Sequence, residues 1–147
     1  MIALGADHGG YRLKEAIKKY LDSQKIEYRD FGTFSEASVD YPPIAAKVSH
    51  FVADGKAEKG ILCCGTGIGM SIAANKVEGI RAAVCTNSYC AEITRHHNNA
   101  NVLCLGGRVI SEDEAVEFTR LFLSTEFDGG RHQRRIDEIA SIERGEL

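Results

Sequence analysis

Short apolar runs alternate with amphipathic segments along the whole of this 147-residue chain, and few architectures accept that pattern. Residues 1–6 (MIALGA) read as a buried strand. Residues 11–24 then place Leu13, Ala16, Ile17, Tyr20 and Leu21 on one helical face. A second strand is expected over 26–31. The polar loop after it closes on Pro42-Pro43, which starts a helix over 44–53 with Ile44, Val48, Phe51 and Val52 on its buried stripe. The pattern continues with a strand over 60–64 (GILCC), a small-residue helix over 70–76, a strand over 81–85, a helix over 88–96 and a strand over 101–105. Ser111 and Glu114 have capping-box spacing for a helix running to Leu123. Five strands separated by helices predict an α/β fold, a parallel sheet covered on both faces. The length suits one domain, residues 1–147, with a helical extension over 129–147 whose Ile136, Ile139 and Ala140 can pack on this chain or on a neighbour.

In such sheets ligands bind beyond the carboxyl ends of the strands, so chemistry is sought in the loops that follow them. The loop Cys64-Gly65-Thr66-Gly67-Ile68-Gly69 joins a strand to a helix, and its glycines allow several backbone N–H groups to converge as an anion nest beside a helix N-terminus. Three familiar loops are excluded by spacing. The dinucleotide fingerprint needs glycine at Met70, a Cys-x5-Arg phosphatase loop needs arginine at the same place, and no Gly-Lys pair follows as a P-loop requires. Cys64 opens the turn near the helix N-terminus, where a thiol pKa can fall to about 3.5–7.5 and supply a base or nucleophile. Cys63, Cys85, Cys90 and Cys104 read instead as small buried hydrophobes.

Asp7 and His8 end the first strand, either as a helix cap with an exposed imidazole or as two groups over the same cleft as Cys64. His96-His97-Asn98-Asn99 ends the fourth helix, where one histidine can face the cleft while the other caps or is solvated. Arg131 and Arg135 stand i,i+4 in GGRHQRR and repel unless an anion is shared; forked guanidinium groups favour phosphate. A net charge of −3, from 18 basic and 21 acidic residues, gives no global field for nucleic acid or an anionic membrane. An odd cysteine count of five, without CxxC, argues for reduced thiols in a cytoplasmic protein and against a disulfide framework or structural zinc. The start MIALGADHGG carries no secretion signal, and no uncharged stretch is apolar enough to span a membrane.

Taken together, ADHGGYRLK, DYPPIA, CGTGIGMSIAANK, RHHNNANV, GGRV and EFDGGRHQRRI resemble the type B ribose-5-phosphate isomerase family, which includes allose- and galactose-6-phosphate isomerases. The resemblance runs over nearly the whole chain. It implies a three-layer Rossmann-like fold and a homodimer needing no metal or cofactor, which interconverts an aldose phosphate and a ketose phosphate through an enediolate. Position by position it makes Cys64 the base between C1 and C2, Gly65, Thr66, Gly67, Ile68 and Gly69 the loop holding the enediolate oxygens, and Thr66 an aid to proton movement between them. His97 becomes the ring-opening acid. Asp7 and Asn98 would hold sugar hydroxyls and Tyr41 would line the pocket. His8, Arg108, Arg131 and Arg135 would contact phosphate, the last two from the partner subunit. One branch of the family replaces the cysteine with a glutamate just after the glycine loop; Met70 at that position and Cys64 in place put this chain in the cysteine branch. A six-carbon substrate, or a sugar-phosphate sensor without turnover, would use the same scaffold.

Overall fold

The computed structural model describes all residues, Met1–Leu147. Its elements are β1 (Ile2–Ala6), α1 (Tyr11–Ser23), β2 (Tyr28–Asp30), α2 (Tyr41–Ala53), β3 (Lys59–Cys64), α3 (Ile68–Ala74), β4 (Ala82–Val84), α4 (Ser88–Asn98), β5 (Val102–Gly106), α5 (Glu112–Ser124) and α6 (Arg131–Glu143). The five strands form one parallel sheet in the order β2-β1-β3-β5-β4.

Side chains alternate across the three central strands and build two cores. Leu4, Ile61, Cys63, Leu103 and Leu105 meet Leu13 and Ile17 of α1, Ala91 of α4 and Phe118 and Phe122 of α5. On the opposite face Ala3, Leu62, Cys64, Val102 and Cys104 meet Ile44 and Val48 of α2 and Met70 and Ala74 of α3. Two adjacent cysteines therefore have different neighbours: Cys63 lies under α1, and burial pushes its thiol pKa far up. Cys85 is buried as expected, its thiol pushed up to about 12 by burial, and Cys104 is buried too, but Cys90 is only partly covered.

Several boundaries differ from the sequence reading. Helix α2 starts at Tyr41 rather than residue 44, with both prolines in its first turn, where a missing N–H leaves no bond unmade. Helix α3 starts at Ile68 rather than 70, because Gly67 takes a left-handed φ of 83° and turns the chain sharply. The outer strands β2 and β4 are each three residues long, since each pairs along one side only. The Ser111–Glu114 capping box is formed, with bonds of 3.1 and 2.9 Å. Helix α6 docks on its own chain through buried Ile136 and a Glu143 carboxylate that accepts from the Gly79 amide at 3.1 Å, while Ile139 and Ile142 stay exposed.

Candidate active site

Chain connections diverge at β1 and β3. From β1 the chain passes over one face, through α1, to β2; from β3 it passes over the other, through α3, toward β4. A crevice opens there beyond the strand ends, the switch point at which open α/β sheets bind ligands. Asp7 and His8 leave β1 at this crevice and Cys64 to Gly69 leave β3. Asp7, Tyr41, Cys64, Gly65, Thr66, Ile68, Gly69 and Arg108 line one cavity of about 430 Å3.

Backbone bonds shape its floor. The Gly67 amide donates to the Cys64 sulfur at 3.1 Å and the Ile68 amide to the Thr66 hydroxyl at 3.2 Å. The Gly65, Thr66 and Gly69 amides donate to no acceptor within the chain, so the nest presents unused donors beside the sulfur. Gly67 could not carry a side chain, both because of its φ and because a Cβ would meet the Leu105 backbone at 3.1 Å. Asp7 is buried and combines its two sequence readings: Oδ1 accepts the Gly9 and Gly10 amides at 2.8 and 3.2 Å, fixing the entry to α1, while Oδ2 has no partner in the chain. His8 accepts the Val39 amide on Nδ1 at 3.3 Å, which places the proton of the neutral ring on Nε2. With Arg108 it borders an adjoining hollow of about 520 Å3, and Arg108, which lines both cavities, forms no ion pair.

Four anticipated residues lie elsewhere. Neither histidine of the HHNN run faces this crevice, because α4 runs antiparallel to the strands and ends beside their amino ends. There Arg81 binds the Asn99 carbonyl and the Gly60 amide binds that of Asn101. The four residue steps along β3 from Gly60 to Cys64 span about 13 Å. At that far end His96 holds Asp128 at 2.7 Å and its pKa is raised by this bond, whereas His97 stacks on His132 with ring centroids 4.2 Å apart and 14° between planes. Burial, then His97 and Arg131, hold the His132 pKa below the ordinary value. Asn98, Arg131 and Arg135 are exposed nearby, the arginines without ion pairs. The His132 and Asp128 contacts carry no signal in local spacing; they arise from α6 folding back beside α4.

Comparison with known proteins gives one answer. The family model described as Ribose/Galactose Isomerase matches residues 2–139. The putative sugar phosphate isomerase YwlF of Bacillus subtilis is 47% identical over 147 residues, covering 99% of each chain. Ribose-5-phosphate isomerase B of Escherichia coli is 46% identical over 142 residues, covering 97% of this chain and 95% of that protein. The solved structure of Clostridium thermocellum ribose-5-phosphate isomerase B superposes with a TM-score of 0.97 at 51% identity, with 99% of each chain covered. That of the Mycoplasma genitalium enzyme with bound ribulose-5-phosphate superposes with a TM-score of 0.93 at 41% identity, covering 97% of this chain and 95% of that one. The nest beside Cys64 at the switch point is thus carried by a Rossmann-like chain that belongs to the ribose/galactose isomerase family of enzymes.

Proposed function

We propose that the chain interconverts ribose 5-phosphate and ribulose 5-phosphate. The observation carrying this reading is the Cys64 sulfur beside three unused backbone amides, in a cavity that also presents the free Oδ2 of Asp7. An enediolate needs that combination: a base over the carbon pair and donors where negative charge develops. Cys64 as thiolate takes the proton from C2 of the open-chain aldose, the C1 oxygen becomes the enediolate oxygen on the amides, and the thiol returns the proton to C1. Thr66 passes a proton between the two oxygens. The bound ribulose-5-phosphate of the Mycoplasma genitalium relative supports the substrate class.

Ring opening needs an acid at the ring oxygen, and phosphate needs cations. His97, Asn98, Arg131 and Arg135 supply these from the other end of the sheet, too far from Cys64 within one chain to share one substrate. The proposed resolution is a homodimer in which each Cys64 cleft is completed by the partner's α4 end and by its extension over residues 129–147. A two-fold assembly makes this exchange reciprocal. Exposed Ile68 and Ile72, one turn apart on α3, and Ile139 and Ile142 on α6 are the apolar surface such an interface would cover. The phosphate then sits among His8, Arg108 and the partner's arginines, and Asp7, Tyr41 and Asn98 hold the sugar.

A coupled assay for ribulose 5-phosphate formation tests the activity, with allose 6-phosphate and galactose 6-phosphate run alongside. Highest kcat/KM on ribose 5-phosphate is expected. A preference for a six-carbon sugar would reject the pentose assignment, and binding without turnover would make the chain a sensor.

A further inference from the structure

We propose that His97, His132 and Asp128 bind a borderline transition-metal ion such as Zn2+, and that the bound ion inhibits the enzyme. The inhibition rests on the role given to His97 above; the binding does not. One ligand atom from each of the three side chains lies within 4.8 Å of the other two. Two imidazoles and a carboxylate are a familiar zinc donor set, with water filling the fourth position. Ligands on a tetrahedral ion at about 2.0–2.1 Å stand about 3.4 Å apart, so the cluster must close by at most about 1.4 Å. The two rings stack nearly parallel at 4.2 Å and must also splay for their lone pairs to converge. The two histidines, each partly exposed, can make both movements by side-chain rotation.

The surroundings favour the carboxylate as a ligand. His96 Nδ1 holds Asp128 Oδ1 at 2.7 Å and the Asp128 amide donates to the His96 carbonyl at 3.1 Å, which fixes the residue and leaves Oδ2 for an ion. Arg131 and Arg135 oppose a cation, but both are exposed, unpaired side chains free to turn away. Their repulsion selects for an ion held by coordination to nitrogen over Mg2+ or Ca2+, which rely on oxygen ligands and charge. An ion on the His97 ring nitrogen removes the proton that ring opening requires.

The test is calorimetric titration of Zn2+ into the reduced full-length protein in chelator-free buffer. Wild type, His132→Asn, Asp128→Asn and Cys64→Ser are compared, and circular dichroism verifies that each variant is folded. The expected result is one ion per chain, binding weakened about tenfold or more in His132→Asn and Asp128→Asn, and unchanged in Cys64→Ser. No binding to wild type, equal binding in His132→Asn, or loss confined to Cys64→Ser would overturn the site. Zn2+ should also slow ribose 5-phosphate turnover reversibly, less so in His132→Asn. Binding at the site without slowing would overturn the inhibition, whereas absence of turnover before any Zn2+ is added would count against the isomerase reading alone.

Discussion

Lys14 is almost completely buried, and its replacement by methionine should be among the most destabilising single changes outside the apolar core. Its ammonium lies 2.6 Å from Asp30 Oδ2 and 3.1 Å from Glu15, between the rings of Tyr11 and Phe34. Methionine refills the volume but leaves Asp30, itself only 11% exposed, with Lys18 at 2.9 Å and the Gly32 amide as remaining partners. Breaking a buried pair costs about 3–5 kcal/mol, and the surviving Lys18 contact argues for the lower end, about 3 kcal/mol. For a chain this long that lowers Tm by about 6–12 °C. Urea unfolding at fixed protomer concentration measures it, which holds dimerisation constant. The pH dependence supplies a second reading. Burial alone would raise the Asp30 and Glu15 pKa values, but hydrogen bonds from Lys14 and Lys18 outweigh it and hold both carboxyls below the usual range. Their contribution is therefore full above the unfolded carboxylate pKa of about 4 and fades as pH falls through the folded values. The gap between wild type and Lys14→Met should narrow below about pH 4. A loss under 1 kcal/mol at pH 7, or a gap that widens in acid, would refute this account of the pair.

Four further outcomes follow from the same structure. Gly69→Ala puts a Cβ 2.6 Å from the Tyr41 ring, which is free to swing aside, so Tm should hold while KM for sugar phosphate rises; an unchanged KM would remove Tyr41 from the pocket wall. His97→Asn should slow turnover of cyclic substrate more than of an acyclic analogue, and Arg135→Ala should raise KM far more than it lowers kcat; steady-state kinetics on both compounds checks the two together. Ser111→Ala loses the cap bond to Glu114 and should cost about 1 kcal/mol in urea unfolding; an unchanged urea midpoint would refute the cap.

How far the sequence revealed these features depends on the distance over which each is determined. The alternation of strands and helices, the Ser111 cap and the glycine turn after Cys64 are local, and spacing exposed them. Helical spacing puts Leu13, Ala16, Ile17, Tyr20 and Leu21 on the inner stripe of α1, yet Lys14 is buried beside that stripe because Asp30, on a strand neighbouring β1, supplies the counter-charge. Nothing within one helical turn announces that partner. Spacing puts the HHNN run at the end of α4, and that end lies opposite the cleft, a consequence of antiparallel return that local pattern does not weigh. His132 stacking on His97 depends on where α6 comes to rest, which only tertiary packing decides.

The central claim is that Cys64 and His97 act on one substrate from two different chains, and subunit complementation tests it directly. Cys64→Ala and His97→Asn, each nearly inactive alone, are mixed one to one, unfolded and refolded together. Random pairing makes about half of the dimers mixed, and each mixed dimer carries one intact site and one doubly altered site by two-fold symmetry. The account predicts recovery of about one quarter of wild-type specific activity. If both residues served a site within one chain, no pairing would restore an intact site, and activity no higher than the mean of the two parents would contradict it.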